Sequence, residues 1–312
     1  MIEKIQCKTD EEWVALRQKG IGGSDAGALL GLNNYKSPYA LWCEKTGKIV
    51  PEDISDREAV RLGNDLEDYV AKRFTEATGK KVRRCNYTLK NSDYPFAHAN
   101  LDREVIGEKA GLECKTTSSY EILQQCREGN YPASWYCQMT HYMMVTGLEK
   151  FYLAVCCFSH GFFYFEISRN EAEIEALAAA EEEFWDKVVN DTPPELDGTQ
   201  SSMEALSVIV GDSNDNRGSI DLTAVGAALA IYSNTDAQIK ELTKTRDQYK
   251  AQIMEFMADA PKGSYEKYTV SFKTQTRRTF DRAAYEREHG IIPDKYYTES
   301  ISRPFKLTVK KG

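Results

Sequence analysis

GLECKTT, residues 111–117, is a short run bounded by turn residues and predicts a β-strand. Alternate side chains of a strand point to the same face, so Glu113 and Lys115 are expected side by side. The strand that ends at Asp102 is expected to pair with this one as a hairpin through residues 107–110, which brings Asp102 close to Glu113. Taken alone, so short a pattern favours a surface aspartate and a solvated Glu/Lys pair.

The chemistry of these three side chains indicates a metal-dependent hydrolytic centre. Two carboxylates at one point suit a hard cation such as Mg²⁺, which prefers oxygen ligands and retains several waters. A bound divalent ion lowers the pKa of its water and neutralises charge on a phosphate. The Lys115 ammonium can orient that water or stabilise the transition state. Metal-dependent nucleases use an acid followed by Glu-x-Lys on a strand in this way.

Further motifs lie in a fixed order along the first half of the chain, and together they resemble one family. The motifs are RQKGIGGSDAGALLG with Arg17 and Ser24, GNDLEDYVAKRF with Glu67, FAHANLDRE with Asp102, LECKTT with Glu113 and Lys115, and YPASWYCQMTHYMMVTG with Gln138. In this order and spacing they resemble the YqaJ viral recombinase family, relatives of the phage lambda exonuclease. The resemblance covers roughly residues 10–170, and the rest of the chain resembles the tail of longer phage members.

The resemblance implies a fold and an activity. The fold is α/β (α+β), with a PD-(D/E)-x-K restriction-endonuclease-like core, a central mixed sheet flanked by helices, and a helical plus β C-terminal extension. The activity is that of a Mg²⁺-dependent 5′-to-3′ exodeoxyribonuclease, with Mn²⁺ able to substitute. It would act on linear double-stranded DNA ends and leave 3′ single-stranded tails for recombination. Implied partners are a RecT-type single-strand annealing protein and further copies of the chain in a ring-shaped trimer.

The resemblance also assigns roles to single residues. It makes Asp102 and Glu113 metal ligands, with the backbone carbonyl of Cys114 as a further ligand and Glu67 reaching the metal directly or through water. Lys115 and Gln138 position the attacking water, and Arg17 and Ser24 hold the 5′-terminal phosphate. The family usually has a tyrosine three positions before the glutamine, where this chain has Trp135, which lacks the tyrosine hydroxyl.

Without the family, several of these assignments stay open. The glycines before Ser24 allow an anion to approach a helix start, but they equally suit a tight turn with Ser24 or Asp25 as helix N-cap. Glu67 shares a helix face with Gly63 and could reach inward, or it could be a surface glutamate. His141 is expected to be a packed residue rather than a metal ligand, because no second histidine is suitably spaced.

Composition limits the remaining possibilities. The 312 residues include 41% hydrophobic ones, yet no apolar run approaches the roughly 20 that a membrane helix needs, so we expect a cytoplasmic protein without a membrane partner. The eight cysteines form no C-x2-C pair and are expected to be reduced, which argues against an iron–sulfur nuclease.

The net charge of -8 requires that acidic and basic residues be segregated if the chain binds DNA. Residues 171–191 predict an acidic outer helix, whereas residues 262–312 carry twelve Lys/Arg against six Asp/Glu. The basic residues cluster in SFKTQTRRTFDR and SRPFKLTVKKG. These clusters are about equally consistent with a strand pair or loop that follows DNA and with an ordinary basic surface.

We predict three segments: an exonuclease domain over 1–195, a linker over 196–220 that contains DGTQSS and GDSNDNRG, and a helical and basic β extension over 221–312. A helix with an apolar stripe is expected over about 222–258, with a possible break at 233–236. The stripe suits self-association, a partner or internal packing. Two other functions stay open: a PD-(D/E)-x-K endonuclease or junction resolvase, and a non-catalytic DNA-binding or assembly protein.

Overall fold

A computed structural model of the chain describes residues 1–214 and 217–298. The chain divides into two compact units, Met1–Gly211 and Asp212–Gly312. Within the described residues, no helix is both long enough and apolar enough to cross a membrane. All eight cysteines are described, and each is a free thiol in the structure.

The first unit contains eight helices and eight strands among its described residues. In chain order they are β1 (Ile2–Ile5), α1 (Asp10–Gln18), α2 (Gly23–Leu29), α3 (Pro38–Lys45), α4 (Glu58–Thr78), β2 (Val82–Arg84), β3 (Thr88–Asn91), β4 (Tyr94–Ala99), β5 (Arg103–Val105), β6 (Ala110–Thr117), α5 (Tyr120–Arg127), α6 (Ala133–Thr146), β7 (Lys150–Cys157), β8 (Gly161–Ser168), α7 (Glu171–Val189) and α8 (Gln200–Val210).

The central sheet has five strands in the order β2-β5-β6-β7-β8. Strands β6 and β7 run parallel, because α5 and α6 carry the chain back across the sheet between them, and the other neighbours are antiparallel. A smaller antiparallel sheet has the order β1-β3-β4. The predicted fold class, a central mixed sheet flanked by helices, is therefore confirmed.

Strand β7 shows how the sheet is buried on both faces. Phe151, Leu153 and Val155 belong to the large core cluster that includes residues of α6 and α7. The alternate residues Tyr152 and Ala154 belong to a second cluster formed with α4. A strand buried on both faces loses the apolar–polar alternation of a surface strand, which accounts for the continuous apolar run FYLAVCC.

The hairpin predicted before the Glu-x-Lys strand forms, but its first strand differs from the prediction. Strand β4 ends at Ala99 and lies in the smaller sheet, so it does not run to Asp102. The chain changes sheets over the next three residues, where Leu101 is buried, and β5 begins directly after Asp102. Strand β5 then pairs antiparallel with β6, with Arg103 opposite Leu112. Asp102 is therefore brought to Glu113 from the start of a strand, not from its end.

Helix α8 corrects the prediction of a linker over 196–220. The Thr199 hydroxyl caps this helix by accepting a hydrogen bond from the Ser202 backbone N–H at 3.3 Å. The Ser202 hydroxyl donates to Ser37 at the start of α3 at 2.9 Å, and Ala205 is buried in the large core cluster. Residues 200–210 thus belong to the first unit, because this capped amphipathic helix packs its apolar face against the core.

The second unit contains α9 (Gly226–Met257), a hairpin of β9 (Lys262–Tyr265) and β10 (Tyr268–Ser271), and α10 (Arg282–His289). Single 3₁₀ turns lie at Thr223–Val225 and Asp294–Tyr296. The helical plus β extension is confirmed, but α9 is not broken at 233–236, where Asp236 pairs with Lys240 one turn later at 2.7 Å. The basic segment SRPFKLTVKKG, residues 302–312, lies outside the described residues.

Candidate active site

Three side chains form a closed ring of contacts on the α6 face of the central sheet. The Lys115 ammonium lies 2.7 Å from Glu113 Oε1 and donates a hydrogen bond to Gln138 Oε1 at 2.9 Å. Gln138 Nε2 donates back to Glu113 Oε1 at 2.7 Å. Glu113 and Lys115 thus share one face of β6, as the period of a strand predicted, and α6 supplies the amide that joins them.

Asp102 joins this group from the loop before β5. Its Oδ2 accepts a hydrogen bond from the Cys114 backbone N–H at 2.8 Å, which fixes the carboxylate beside β6. Burial, followed by the negative charge of Glu113, raises the pKa of Asp102 well above its ordinary value. Two carboxylates therefore interact at this point with Lys115 as their cationic neighbour.

The donors at this point fit a hard cation. Glu113 is 3% exposed, and its Oε2 atom is buried without a hydrogen-bond partner. A buried carboxylate oxygen without a partner is costly unless a cation or proton satisfies it. Among residues 1–214 and 217–298, no group of three or more His, Cys, Asp or Glu side chains is arranged to hold a metal. Asp102 and Glu113 are therefore the two side chains that could hold the cation. Water or backbone oxygen would fill its remaining coordination positions, as is common for Mg²⁺.

Glu67 lies outside the ring of contacts. Its Oε1 accepts a hydrogen bond from Nη1 of the buried Arg103, and the same Nη1 donates to the backbone oxygen of Asp102 at 2.6 Å. Glu67 acts on Asp102 through this guanidinium and through its own charge, which contributes to the raised pKa of Asp102. A Cβ at Gly63 would meet Thr116 Oγ1 at 3.9 Å, an ordinary contact, so Gly63 is not required to make room for Glu67. No sequence pattern indicated a role for Arg103.

The two residues expected to hold a terminal phosphate are in contact. Arg17 Nη2 donates a hydrogen bond to the Ser24 hydroxyl at 3.2 Å, and the Trp13 ring lies 4.7 Å from the guanidinium carbon. The N-cap of α2 is Gly22, not Ser24 or Asp25 as expected, and the Asp25 carboxylate accepts a hydrogen bond from the Gly22 N–H at 3.0 Å. The Ser24 hydroxyl is therefore not used in capping and stays exposed beside Arg17.

Lys45, at the end of α3, holds this region together. Its ammonium lies 2.7 Å from Asp25 Oδ2 and donates to the backbone oxygens of Arg17 and Gly20, each at 2.8 Å. Burial alone would raise the pKa of Asp25, but the charge and hydrogen bond of Lys45 outweigh it and lower that pKa. One buried cation thus fixes the end of α1 relative to the start of α2.

Tyr142 connects this region with the carboxylate centre. Its hydroxyl accepts a hydrogen bond from Gln138 Nε2 at 2.9 Å, so one amide contacts both Tyr142 and Glu113. The Tyr142 ring lies against the backbone of Gly23, where an added Cβ would come within 2.4 Å of ring carbon Cε1. Tyr142 was not predicted from the sequence, although its position one helical turn after Gln138 was a usable signal.

Two further residues singled out in the sequence have clear surroundings. The Trp135 ring lies 5.9 Å from the Lys115 ammonium, so this position offers the cation an aromatic face and no hydroxyl. His141 is fully buried, with Nδ1 2.7 Å from Glu181 and Nε2 2.9 Å from the backbone oxygen of His98. The prediction that His141 is a packed residue is confirmed.

The chain is similar to known proteins in sequence and in fold. Residues 12–149 match the model of the YqaJ-like viral recombinase domain. A relative from Bacillus subtilis (strain 168), described as uncharacterized protein YqaJ, is 39% identical over 301 residues, which are 95% of this chain and 93% of the relative. The solved alkaline exonuclease LHK-Exo from Laribacter hongkongensis has the same fold, with a TM-score of 0.50 and 18% identity over 58% of this chain and 94% of that chain. Its complex with dAMP gives a TM-score of 0.50 and 19% identity over the same shares.

Proposed function

The chain belongs to the YqaJ-like viral recombinase family, and from this premise we propose that it is a metal-dependent exodeoxyribonuclease. It digests the 5′-terminated strand at the ends of linear double-stranded DNA and leaves 3′ single-stranded tails. The observation that carries the proposal is the contact of Glu113 with Lys115 and Gln138, with Asp102 held against the same strand. The fold that the chain shares with an alkaline exonuclease supports it.

Asp102 and Glu113 would hold the metal, for which Mg²⁺ is proposed and Mn²⁺ is an expected substitute. The backbone carbonyl of Cys114 and a water-mediated Glu67 are proposed to complete the donor set. When bound, such a cation neutralises charge on the scissile phosphate and lowers the pKa of a water molecule. The unpartnered Oε2 of Glu113 is the atom whose surroundings favour this assignment most.

Lys115 and Gln138 then orient the nucleophile and stabilise charge on the phosphate. Burial alone would lower the pKa of Lys115, but the neighbouring Glu113 and Asp102 outweigh it and raise that pKa, so the ammonium keeps its proton. A positioned cation at the point where negative charge develops stabilises the transition state more than it would in water. Gln138 is fixed in one orientation, because its oxygen accepts from Lys115 while its nitrogen donates to Glu113 and Tyr142.

Arg17 and Ser24 are proposed to bind the 5′-terminal phosphate, which would set the end from which digestion starts. A guanidinium and an adjacent hydroxyl provide charge-assisted hydrogen bonds to phosphate oxygens. Tyr142 contacts both Gln138 and the backbone of Gly23, next to Ser24. Through these contacts, the bound 5′ end of the DNA and the cleavage centre would keep a fixed distance from each other.

The 3′ tail would be passed to a RecT-type single-strand annealing protein in the cytoplasm of a bacterial or phage-infected cell. A ring-shaped trimer that threads DNA would reconcile the net charge of -8 with a DNA substrate, because basic residues can face the channel. Co-purification of the chain with such an annealing protein, and its mass in solution, test these two proposals.

Digestion of a linear duplex in Mg²⁺ tests the function directly. One 5′ end carries phosphate, the two strands carry different labels, and the variants are Asp102→Ala and, as matched control, Asp186→Ala on the exposed face of α7. We expect loss of the phosphorylated strand from its 5′ end with wild type and Asp186→Ala, but not with Asp102→Ala. Cutting of a closed circle would indicate an endonuclease, and binding without cleavage in Mg²⁺ or Mn²⁺ would indicate a scaffold.

Metal binding can be measured without activity. At a metal concentration of about one hundred times the dissociation constant, binding to the native state stabilises it by about 2.7 kcal/mol. We expect Mg²⁺ or Mn²⁺ to raise the unfolding temperature of wild type and of Asp186→Ala, and to have little effect on Asp102→Ala. Equal shifts in all three proteins would remove Asp102 from the metal site.

A further inference from the structure

Helix α9 exposes nearly all of its surface. It contains 32 residues, all described, and Met257 is the only one of them that is buried. At 1.5 Å per residue it is about 48 Å long. Helices of this length in proteins owe most of their stability to packing of an apolar face, not to helix propensity. We therefore expect an apolar face of α9 to pack against a partner surface.

The apolar residues of α9 lie on one stripe with the repeat of a coiled coil. The stripe, here called the α9 seam, consists of Tyr232, Thr235, Ile239, Leu242, Arg246, Tyr249, Ile253 and Phe256. Its members alternate three and four residues apart, which is the a/d spacing of a heptad. The six apolar members are between 47% and 93% exposed. The remaining faces carry mostly polar residues such as Lys240, Glu241 and Lys244.

We propose that the α9 seam pairs in antiparallel orientation with the α9 seam of a second copy of this chain. The charge of Arg246 selects the orientation. A parallel pair would place the two Arg246 guanidinium groups in the same layer, where like charges repel. In the antiparallel pair a and d positions face each other, so Arg246 packs on Leu242 of the second copy and the two guanidinium groups are separated.

The positions that flank the seam favour a second copy over an unrelated helix. Asp236 and Lys250 lie on the same edge of the seam, each seven residues from Thr243. In the antiparallel pair set by Arg246 and Leu242, Asp236 of each copy faces Lys250 of the other, which gives two opposite-charge contacts in addition to the Asp236–Lys240 pair within each helix. On the other edge, Gln238 faces Gln252. The stripe is thus complementary to itself about a two-fold axis, as an isologous dimer requires.

The hairpin that follows α9 lies beside the C-terminal half of the seam. A groove of about 560 Å³ lies between α9 and β10, lined by residues that include Tyr249, Ile253 and Phe272. In the antiparallel pair, Ile239 of the second copy lies opposite Tyr249, which lines this groove. The Ile239 side chain would cover apolar surface there.

Charge reversal in the full-length chain tests the pairing, with mass measured by light scattering and sedimentation over a range of concentrations. Asp236→Lys alone and Lys250→Asp alone each create two like-charge contacts, and each should raise the dimer dissociation constant about tenfold. The double variant Asp236→Lys/Lys250→Asp should restore it to within about twofold. Leu242→Asp should abolish the seam contact, and Lys244→Asp on the opposite face is the matched control.

Three outcomes would overturn the proposal. One is an unchanged mass for Leu242→Asp, which would mean that the seam joins no two copies. Another is a double variant that associates more weakly than either single variant, because Asp236 would then not face Lys250. The third is equal weakening by Lys244→Asp. Helix content, measured by circular dichroism, separates loss of pairing from loss of α9, and any ring contact made by the first unit would survive all of these variants.

Discussion

Replacing Lys45 by methionine should destabilise the first unit strongly. Methionine has a similar length and fills the same space, but it leaves the buried Asp25 without its cation and removes the donor to two backbone oxygens. Breaking one partner of a buried ion pair costs about 3–5 kcal/mol. For a unit of this size, about 1 kcal/mol lowers the unfolding temperature by about 2–4 °C, so the expected loss is on the order of 10 °C.

Lys48→Met is the matched control. Lys48 lies three residues further along and pairs with Asp191 at the same 2.7 Å, but these side chains are 31% and 63% exposed, whereas those of Lys45 and Asp25 are each 7% exposed. An exposed pair contributes about 0–1 kcal/mol. Both substitutions remove an ion pair, but the Lys45 pair is the buried one and Lys45 also loses two backbone acceptors. The difference in cost should therefore be at least about 2 kcal/mol.

Tryptophan fluorescence is the appropriate assay, because all four tryptophans of the chain lie in the first unit. Combining Lys45→Met with Asp25→Asn removes both charges and leaves an amide oxygen to accept from Gly22. The double variant should recover about 1–3 kcal/mol relative to the sum of the single effects. A cost of Lys45→Met below about 1 kcal/mol, or simple additivity in the cycle, would refute the reasoning.

Arg17→Ala should weaken the preference for a 5′-phosphorylated end, measured by competition between phosphorylated and hydroxyl ends; an equal loss on both would reject the pocket. Lys115→Ala should lower turnover by about 10²-fold or more while DNA binding in a gel-shift assay is kept, and unchanged turnover would remove it from the mechanism. Tyr142→Phe removes one acceptor of Gln138, worth about 1 kcal/mol, and should lower kcat about fivefold with KM unchanged; a change in KM alone would contradict this. Burial lowers the pKa of His98 to about 3, so below about pH 6.5 the unfolded chain gains a proton there and the native chain does not. Between about pH 6.5 and 5, the unfolding free energy measured by urea titration should therefore fall by about 1.5 kcal/mol more in wild type than in His98→Asn. Parallel pH curves for the two proteins would contradict the assignment.

The parts of the site that could be predicted from sequence are those that depend on local periodicity. Glu113 and Lys115 share a face because a strand alternates. Helix α6 ends at Gly147, whose positive φ of 67° favours glycine. The family resemblance supplied the roles of these residues, which periodicity alone left open.

The parts that could not be predicted depend on elements brought together from distant parts of the chain. Lys45 reaches a backbone oxygen 28 residues earlier, and Arg103 meets Glu67 across 36 residues. No local pattern encodes such contacts. The change of sheet before Asp102 was missed for the same reason, since an extended segment looks alike in sequence whichever sheet it joins.

Charge balance distinguishes the proposed hydrolytic centre from the buried ion pair of Lys45 and Asp25 in the first unit. Lys45 and Asp25 bring one cation to one carboxylate, and the pair is satisfied by its own hydrogen bonds. At β6, two carboxylates meet the single ammonium of Lys115, the pKa of Asp102 is raised by burial and by Glu113, and one oxygen of Glu113 has no partner. An excess of negative charge that is buried away from water destabilises the native state. A divalent cation would offset it, so the excess of buried negative charge, and not burial as such, is the feature that argues for a metal at this strand.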